Sequence, residues 1–244
     1  MTPVLQRRLI RDAAAFYRPA GRFAEQFARG KFAGDPVFLA LLRHSLLPDG
    51  ARLVDLGCGQ GLLAAWLTAA RQRFDAGDWP EDWPAPPRLA HYLGVELMTA
   101  DADRARRALG ALRDTAAIRT GDLCTAEWPD ADVVMLLDVL HFLNSSAQER
   151  LLERIRQSLT PAGVLLLRVG DRSGGTGFWW TQVVDYGVAW WRGHGFPRFH
   201  SRTRSDWEAL LARLGFDCDS LPMRRFPIFA NVLLIARPRI RGDR

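Results

Sequence analysis

The chain has 244 residues, 48% apolar and 25% charged, which is enough material for the core of a globular protein and excludes a disordered or fibrous one. Three widely spaced cysteines, Cys58, Cys124 and Cys218, exclude a disulfide framework and a Cys-x-x-Cys zinc site. Apolar windows too short to span a bilayer, and a stretch Met1 to Ala20 without the apolar core of a secretory signal, lead to the expectation of a cytoplasmic protein.

In chain order, residues 3–16 fit a helix whose apolar face is Val4, Leu5, Leu9, Ile10 and Ala13. Arg22 to Arg29 fit a second helix, with Phe23 and Phe27 one turn apart. Asp35-Pro36 opens a third, through Phe38, Leu41, Leu42 and Leu46, which ends at Pro48-Asp49-Gly50. These form an expected N-terminal helical cap, residues 1–50, on a second domain, residues 51–244.

From residue 51 strands and helices alternate. Arg52–Leu56 reads as a strand and Leu62–Arg73 as a helix, followed by a proline-rich surface excursion over residues 74–88. Tyr92–Leu97 reads as the second strand, Asp101–Leu112 as a helix, and Ile118 lies on a third strand ending at Gly121-Asp122. Val133–Leu137 is an unbroken apolar run suited to a buried strand. Ser146-Ala147-Gln148-Glu149 reads as a capping box opening a helix Ala147–Leu159, and Pro161-Ala162-Gly163 as the turn into a fifth strand, Val164–Val169. Ser205-Asp206-Trp207-Glu208 reads as a second capping box, before a helix stopped by Gly215; a last strand covers about Asn231–Ala236. The alternation implies an α/β fold with a doubly wound, mostly parallel sheet.

Residues 171–204 interrupt that rhythm and read as a substrate lid. Gly174-Gly175-Thr176-Gly177 precedes Phe178, Trp179, Trp180, Tyr186, Trp190 and Trp191, and Gly193-His194-Gly195 follows. Aromatic walls between glycine hinges suit a flat apolar substrate, although such rings can equally complete a core or meet a membrane interface.

The chemistry concentrates in Val54-Asp55-Leu56-Gly57-Cys58-Gly59-Gln60-Gly61. A glycine turn between strand and helix lets a backbone approach a ligand at the carboxyl edge of the sheet. A dinucleotide fingerprint needs a small residue at position 62, where Leu62 stands, and an acid much nearer than Glu96. No Gly-Lys-Ser/Thr follows, which removes a P-loop.

The segment resembles the first motif of class I S-adenosylmethionine (SAM)-dependent methyltransferases, and four later segments resemble theirs in order. These are Gly94-Val95-Glu96-Leu97, Gly121-Asp122-Leu123, Leu137 to Leu143, and Leu159 to Leu165. The resemblance implies a Rossmann-like seven-stranded sheet and SAM as cofactor. It assigns Asp55, Gly57, Cys58, Gly59 and Gly61 to the methionine end, Glu96 and Leu97 to the ribose, Asp122 and Leu123 to the adenine, and Asp138 to the cofactor's reactive side. Glu96, with two acceptor oxygens, suits a vicinal diol. Asp55 as a helix-capping turn residue and Asp122 as a plain turn residue are the alternatives.

In that fold the end of the fourth strand faces the reactive methyl, which makes Asp138 and His141 the catalytic candidates. An imidazole suits proton removal at neutral pH, with packing or capping as the other use of His141, and His194 and His200 as other bases. Asp138-Val139-Leu140-His141 stands where nucleic-acid amino methyltransferases carry Asn/Asp-Pro-Pro-Tyr/Phe, and the single lysine, Lys31, rules out a Lys-Asp-Lys-Glu set.

A small aromatic or acyl acceptor is therefore expected, with no nucleic acid and no metal. Several segments, from Gly21-Arg22-Phe23 to Phe229-Ala230-Asn231-Val232, resemble methyltransferases associated with bacterial aryl-polyene and xanthomonadin-type pigment synthesis. That resemblance implies an aromatic head group as acceptor. It also gives the net charge of +6 a use, contact with an acidic acyl carrier protein, although arginine-rich composition alone can produce such a charge. The other readings are an RNA methyltransferase, motivated by arginine, and a SAM-binding accessory protein without turnover, against which the intact glycine loop argues.

Overall fold

In a computed structural model of the protein the described residues are 1–170, 200, 202–223 and 231–239. They form two compact units, Met1–Val133 and Val134–Arg244. The strands form a seven-stranded, mostly parallel sheet with flanking helices, as the alternation implied, hydrogen-bonded from edge to edge in the order 116–120, 89–96, 51–56, 131–137, 159–170, 231–238 and 216–222.

The first unit opens with α1 (Pro3–Ala15), α2 (Arg22–Gly34) and α3 (Pro36–Arg43). Thr2 Oγ1 accepts from Leu5 N at 3.2 Å and Asp35 Oδ1 from Val37 N at 3.1 Å, so α1 and α3 each begin at a side-chain cap followed by proline. The helices of the expected 1–50 cap thus lie inside the first unit. Two expected faces are corrected. Val4 is exposed, and α2 buries Ala24, Ala28 and Phe32 while Phe23 stacks on Phe27 at the surface. Small residues let α2 approach its neighbours closely. Phe32 and Phe38 pack on Trp66 at ring distances of 5.2 and 5.7 Å, and Trp66 Nε1 donates to Phe38 O at 2.8 Å.

β1 (Ala51–Leu56), α4 (Leu62–Asp75), β2 (Leu89–Glu96), α5 (Thr99–Ala108) and β3 (Ala116–Thr120) complete this unit, with β1, β2 and β3 parallel. α5 ends before the expected Leu112, because Gly110 disfavours continuing the helix and Gly110–Leu112 tighten into a 3-10 turn. The excursion after α4 folds on itself, Trp79 Nε1 donating to Pro84 O at 3.0 Å. Arg73 ties it down by pairing with both Asp12 and Asp78.

The second unit takes up most of β4 (Ala131–Leu137), then α6 (Ser145–Ser158), β5 (Leu159–Gly170), α7 (Arg204–Arg213), β6 (Phe216–Pro222) and β7 (Asn231–Pro238). β7 runs antiparallel to both β5 and β6.

Both expected capping boxes shift. Asn144 Oδ1, not Ser146, caps α6 by accepting from Ala147 N at 2.9 Å. At α7 the box is Thr203 with Asp206 rather than one opening at Ser205. β5 starts at Leu159, since Pro161-Ala162-Gly163 runs on in the strand instead of turning. β6 was not foreseen: Asp217, Asp219 and Pro222 disfavour a strand, but at a sheet edge they face outward, and Asp217 pairs with Arg239. Most of the expected lid, with its aromatic run and His194, lies outside the described residues.

Candidate functional site

Residues 57–61 leave β1 and enter α4 through three glycines with positive φ, Gly57 at 76°, Gly59 at 56° and Gly61 at 69°. Gly57 N and Cys58 N both donate to Val95 O, at 2.8 and 3.1 Å, so the end of β2 holds the loop. A Cβ on Gly61 would come within 2.9 Å of Leu109 Cδ1, and one on Gly94 within 2.6 Å of Cys58 Sγ. At Gly61 the left-handed backbone calls for glycine, and at Gly94 the close packing of Cys58 and Ile118 does. At Gly59 the space a side chain would occupy is open, and α4 begins without a side-chain cap.

Glu96, 9% exposed, is the knot of this edge. Its Oε2 accepts from Gly59 N and its Oε1 from Met98 N, each at 2.8 Å, while its carbonyl accepts from Gly121 N at 2.9 Å. An ionised carboxylate has about four lone-pair sites, so two remain for a ligand. Leu97 beside it is 56% exposed, an apolar surface at the lip. Asp122 is exposed and makes an Asx turn, Oδ1 accepting from Cys124 N at 2.8 Å, and Leu123 is buried.

Asp55 is buried beneath the loop, where Tyr92 Oη donates to its Oδ2 at 2.7 Å. Burial pushes the Asp55 carboxyl up to about 7, against the opposing pull of Tyr92 and with help from the Glu96 charge. Burial, with the Asp55 and Glu96 charges, likewise pushes the Cys58 thiol well above its ordinary value, so it is no thiolate nucleophile. Tyr17 Oη donates to Gln60 O at 2.9 Å, and Gln60 Nε2 to Asp101 Oδ1 at 3.1 Å. Tyr17, Gln60, Tyr92 and Asp101 were missed as supports of the loop. Each reads in sequence as an ordinary core or helix-start residue.

In the second unit, Asp138 follows β4 with φ 57°, a left-handed conformation uncommon outside glycine and best tolerated by Asp and Asn. Both its oxygens face Arg168, which is 5% exposed; Nε donates to Oδ1 at 2.8 Å and the second donor pairs with Oδ2. Asp138 N also donates to Arg168 O at 3.3 Å. His141 sits in the 3-10 turn Leu140–Phe142 with its ring 4.2 Å from that of Phe142. Burial holds its imidazole below the usual histidine range, with the Asp138 charge opposing.

His200 N donates to His141 O at 2.9 Å, so two of the three candidate bases share one backbone contact. Gln148 Nε2 reaches Leu140 O, Leu143 O and His200 O, and Arg202 Nε reaches Gln148 Oε1. In sequence Gln148 reads only as part of a helix cap. Among the described residues no cluster of His, Cys, Asp or Glu is placed to hold a metal ion, and no helix is long and apolar enough to cross a membrane.

Residues 27–221 match the family model described as a methyltransferase domain. A carboxy-S-adenosyl-L-methionine synthase of Enterobacter sp. (strain 638) is 28% identical over 136 residues, covering 53% of this chain and 48% of that protein. The chain thus matches about half the length of its curated relatives. Among solved structures, a magnesium protoporphyrin IX methyltransferase from Synechocystis PCC 6803 with bound SAH superposes with a TM-score of 0.58 at 19% identity, covering 88% of each chain. An O-methyltransferase from neocarzinostatin biosynthesis, in complex with SAM and 2-hydroxy-5-methyl naphthoic acid, has a TM-score of 0.58 at 19% identity, covering 90% of this chain and 58% of that one.

Proposed function

Because the chain belongs to the SAM-dependent methyltransferase family, we propose that it methylates a small aromatic or polyketide-like acceptor, free or carried on an acidic acyl carrier protein. The observation that carries the cofactor half is Glu96, a strand-end carboxylate that fixes the glycine loop and keeps acceptor sites for a ribose diol. Gly57, Cys58, Gly59 and Gly61 would pass along the methionine end, above Asp55. Leu97 would flank the ribose beside Glu96, and Asp122 and Leu123 would border the adenine, with the second Asp122 oxygen as the acceptor. Open space at Gly59 and the exposed Leu97 fit a ligand of that shape.

SAM supplies an electrophilic methyl group on a sulfonium. The acceptor-side roles fall to the second unit. His141, kept neutral at pH 7 by burial, takes the proton of a phenolic hydroxyl as it becomes a nucleophile. Asp138, locked by Arg168 in its own left-handed conformation, favours the imidazolium that forms. In C-methylation the proton lost after transfer is the one on the ring carbon that receives the methyl, and His141 would be the base that takes it. The aromatic ligand of the neocarzinostatin-pathway relative and the aromatic-rich segment after Asp171 support the acceptor class. The resemblance to aryl-polyene methyltransferases narrows it to a phenolic head group, and the reaction would be cytoplasmic.

Incubation with methyl-labelled SAM and hydroxybenzoic acids, free and as carrier-protein thioesters, tests this by mass spectrometry. The expected outcome is a methylated phenol with one SAH formed per methyl. Label appearing in RNA alone would overturn the acceptor class. A mass change on SAM itself would point instead to the activity named for the curated relatives.

A further inference from the structure

Gln148 is a polar side chain with no exposure at all, one turn into α6. Its two amide hydrogens are shared among three carbonyls: Leu140 O at 3.0 Å, Leu143 O at 3.0 Å and His200 O at 2.8 Å. Its Oε1 accepts from Arg202 Nε at 3.0 Å. The Arg202 guanidinium also bonds Glu149 Oε1 at 3.0 Å and lies 5.5 Å from the Trp207 ring centre, which fixes its orientation.

Leu140 and Leu143 bracket His141, so one amide holds both ends of the turn that carries it. The same amide holds the carbonyl of His200, whose N–H is held by His141 O. Both backbone groups of His200 are therefore committed to this turn. A buried amide is tolerated only with its partners in place, and a satisfied network of this kind specifies a single geometry. An apolar residue could fill the same volume, but it could not join two separate chain segments at a histidine.

We propose that Gln148 is a positioning residue for methyl transfer, setting the placement of His141 and joining His200 to the same acceptor-side turn. The inference rests on the role given to His141 above. Arg202 is its auxiliary, keeping the amide from rotating. Asp138 is the charged group that faces His141 from the end of β4.

The imidazole resonances of the full chain, followed by NMR across pH and assigned with His141→Asn, give a readout that needs no acceptor. In the wild type His141 titrates below the usual histidine value of about 6.5. In Gln148→Met the turn opens to water and the titration moves up towards that value, while SAM affinity by calorimetry stays within about twofold. On 3,4-dihydroxybenzoic acid as phenolic probe, kcat falls about tenfold or more, with little change in KM for SAM.

An unmoved His141 titration in a folded Gln148→Met protein overturns the inference. Should that variant fail to fold, Arg202→Met reports instead: the same upward shift, smaller and reversed in Arg202→Lys, supports the inference, and no shift in either overturns it. His141→Asn run alongside separates the two failures. Full activity in His141→Asn overturns the base assignment, whereas its loss beside a wild-type Gln148→Met overturns the positioning role alone.

Discussion

The glycine loop of the first unit and the His141 turn of the second achieve a fixed geometry by opposite means. Around the loop, backbone does most of the work: three positive-φ glycines, N–H groups from Gly57 and Cys58 on one carbonyl of β2, and a single carboxylate, Glu96, binding two further N–H groups. Around His141, side chains do it: Arg168 on Asp138, and Gln148 with Arg202 on the carbonyls of Leu140, Leu143 and His200. Backbone-built geometry is stiff and close-packed, suited to one cofactor. Side-chain-built geometry can be retuned residue by residue, which would suit the acceptor side of the proposed reaction.

The largest effect expected from that contrast is at Asp138. Replacement by alanine removes the paired hydrogen bonds to the buried Arg168 guanidinium and puts a poorly tolerated residue at φ 57°, costing about 3 kcal/mol in urea unfolding. Asp138→Asn keeps the backbone tolerance and part of the hydrogen bonding, so it loses about half as much. Equal losses in the two variants would show that charge, not backbone conformation, dominates there.

Next comes Glu96→Ala, which releases the N–H groups of Gly59 and Met98 and removes the proposed ribose acceptor. SAM affinity by calorimetry should fall about 100-fold or more, with Glu96→Gln intermediate. Unchanged affinity would refute the ribose assignment.

Gly61→Ala is smaller, about 2 kcal/mol, from positive φ together with the 2.9 Å approach to Leu109 Cδ1. Its companion Leu109→Ala relieves only the contact. A double variant that regains most of the loss would mean packing, rather than conformation, demands glycine.

The smallest effect is Tyr92→Phe, about 1 kcal/mol, but it carries a pH signature. Asp55 has its carboxyl raised to about 7 in the folded protein, against about 4 in the unfolded chain. The folded state therefore holds a proton that the unfolded state has lost, and stability falls as pH rises from about 4 to about 7. Tyr92 favours the ionised form. Without its hydroxyl the falling limb should extend above pH 7, measured as urea midpoints across pH; a limb that stays in place would remove Tyr92 as the modulator.

The contrast also explains what was legible. The loop and the strand–helix alternation could be read because glycine spacing and apolar periodicity are local properties. Gln148 could not, since its partners lie 5 to 54 residues away in the chain. Tyr92 reads as one more strand residue until Asp55, 37 positions earlier, is placed beneath it. β6 was hidden because carboxylates mask a strand whose place is decided by pairing with β7.

The sequence by itself determined the α/β class and the glycine loop, because each rests on short-range spacing, and its ordered motifs carried the resemblance to the methyltransferase family. Only the tertiary structure decided that Asp138 is committed to Arg168, that Asn144 and Thr203 are the caps, and that Gln148 joins His141 to His200. Those outcomes depend on which distant groups are brought within hydrogen-bonding distance, and burial then makes every unpaired polar atom costly enough to fix the choice.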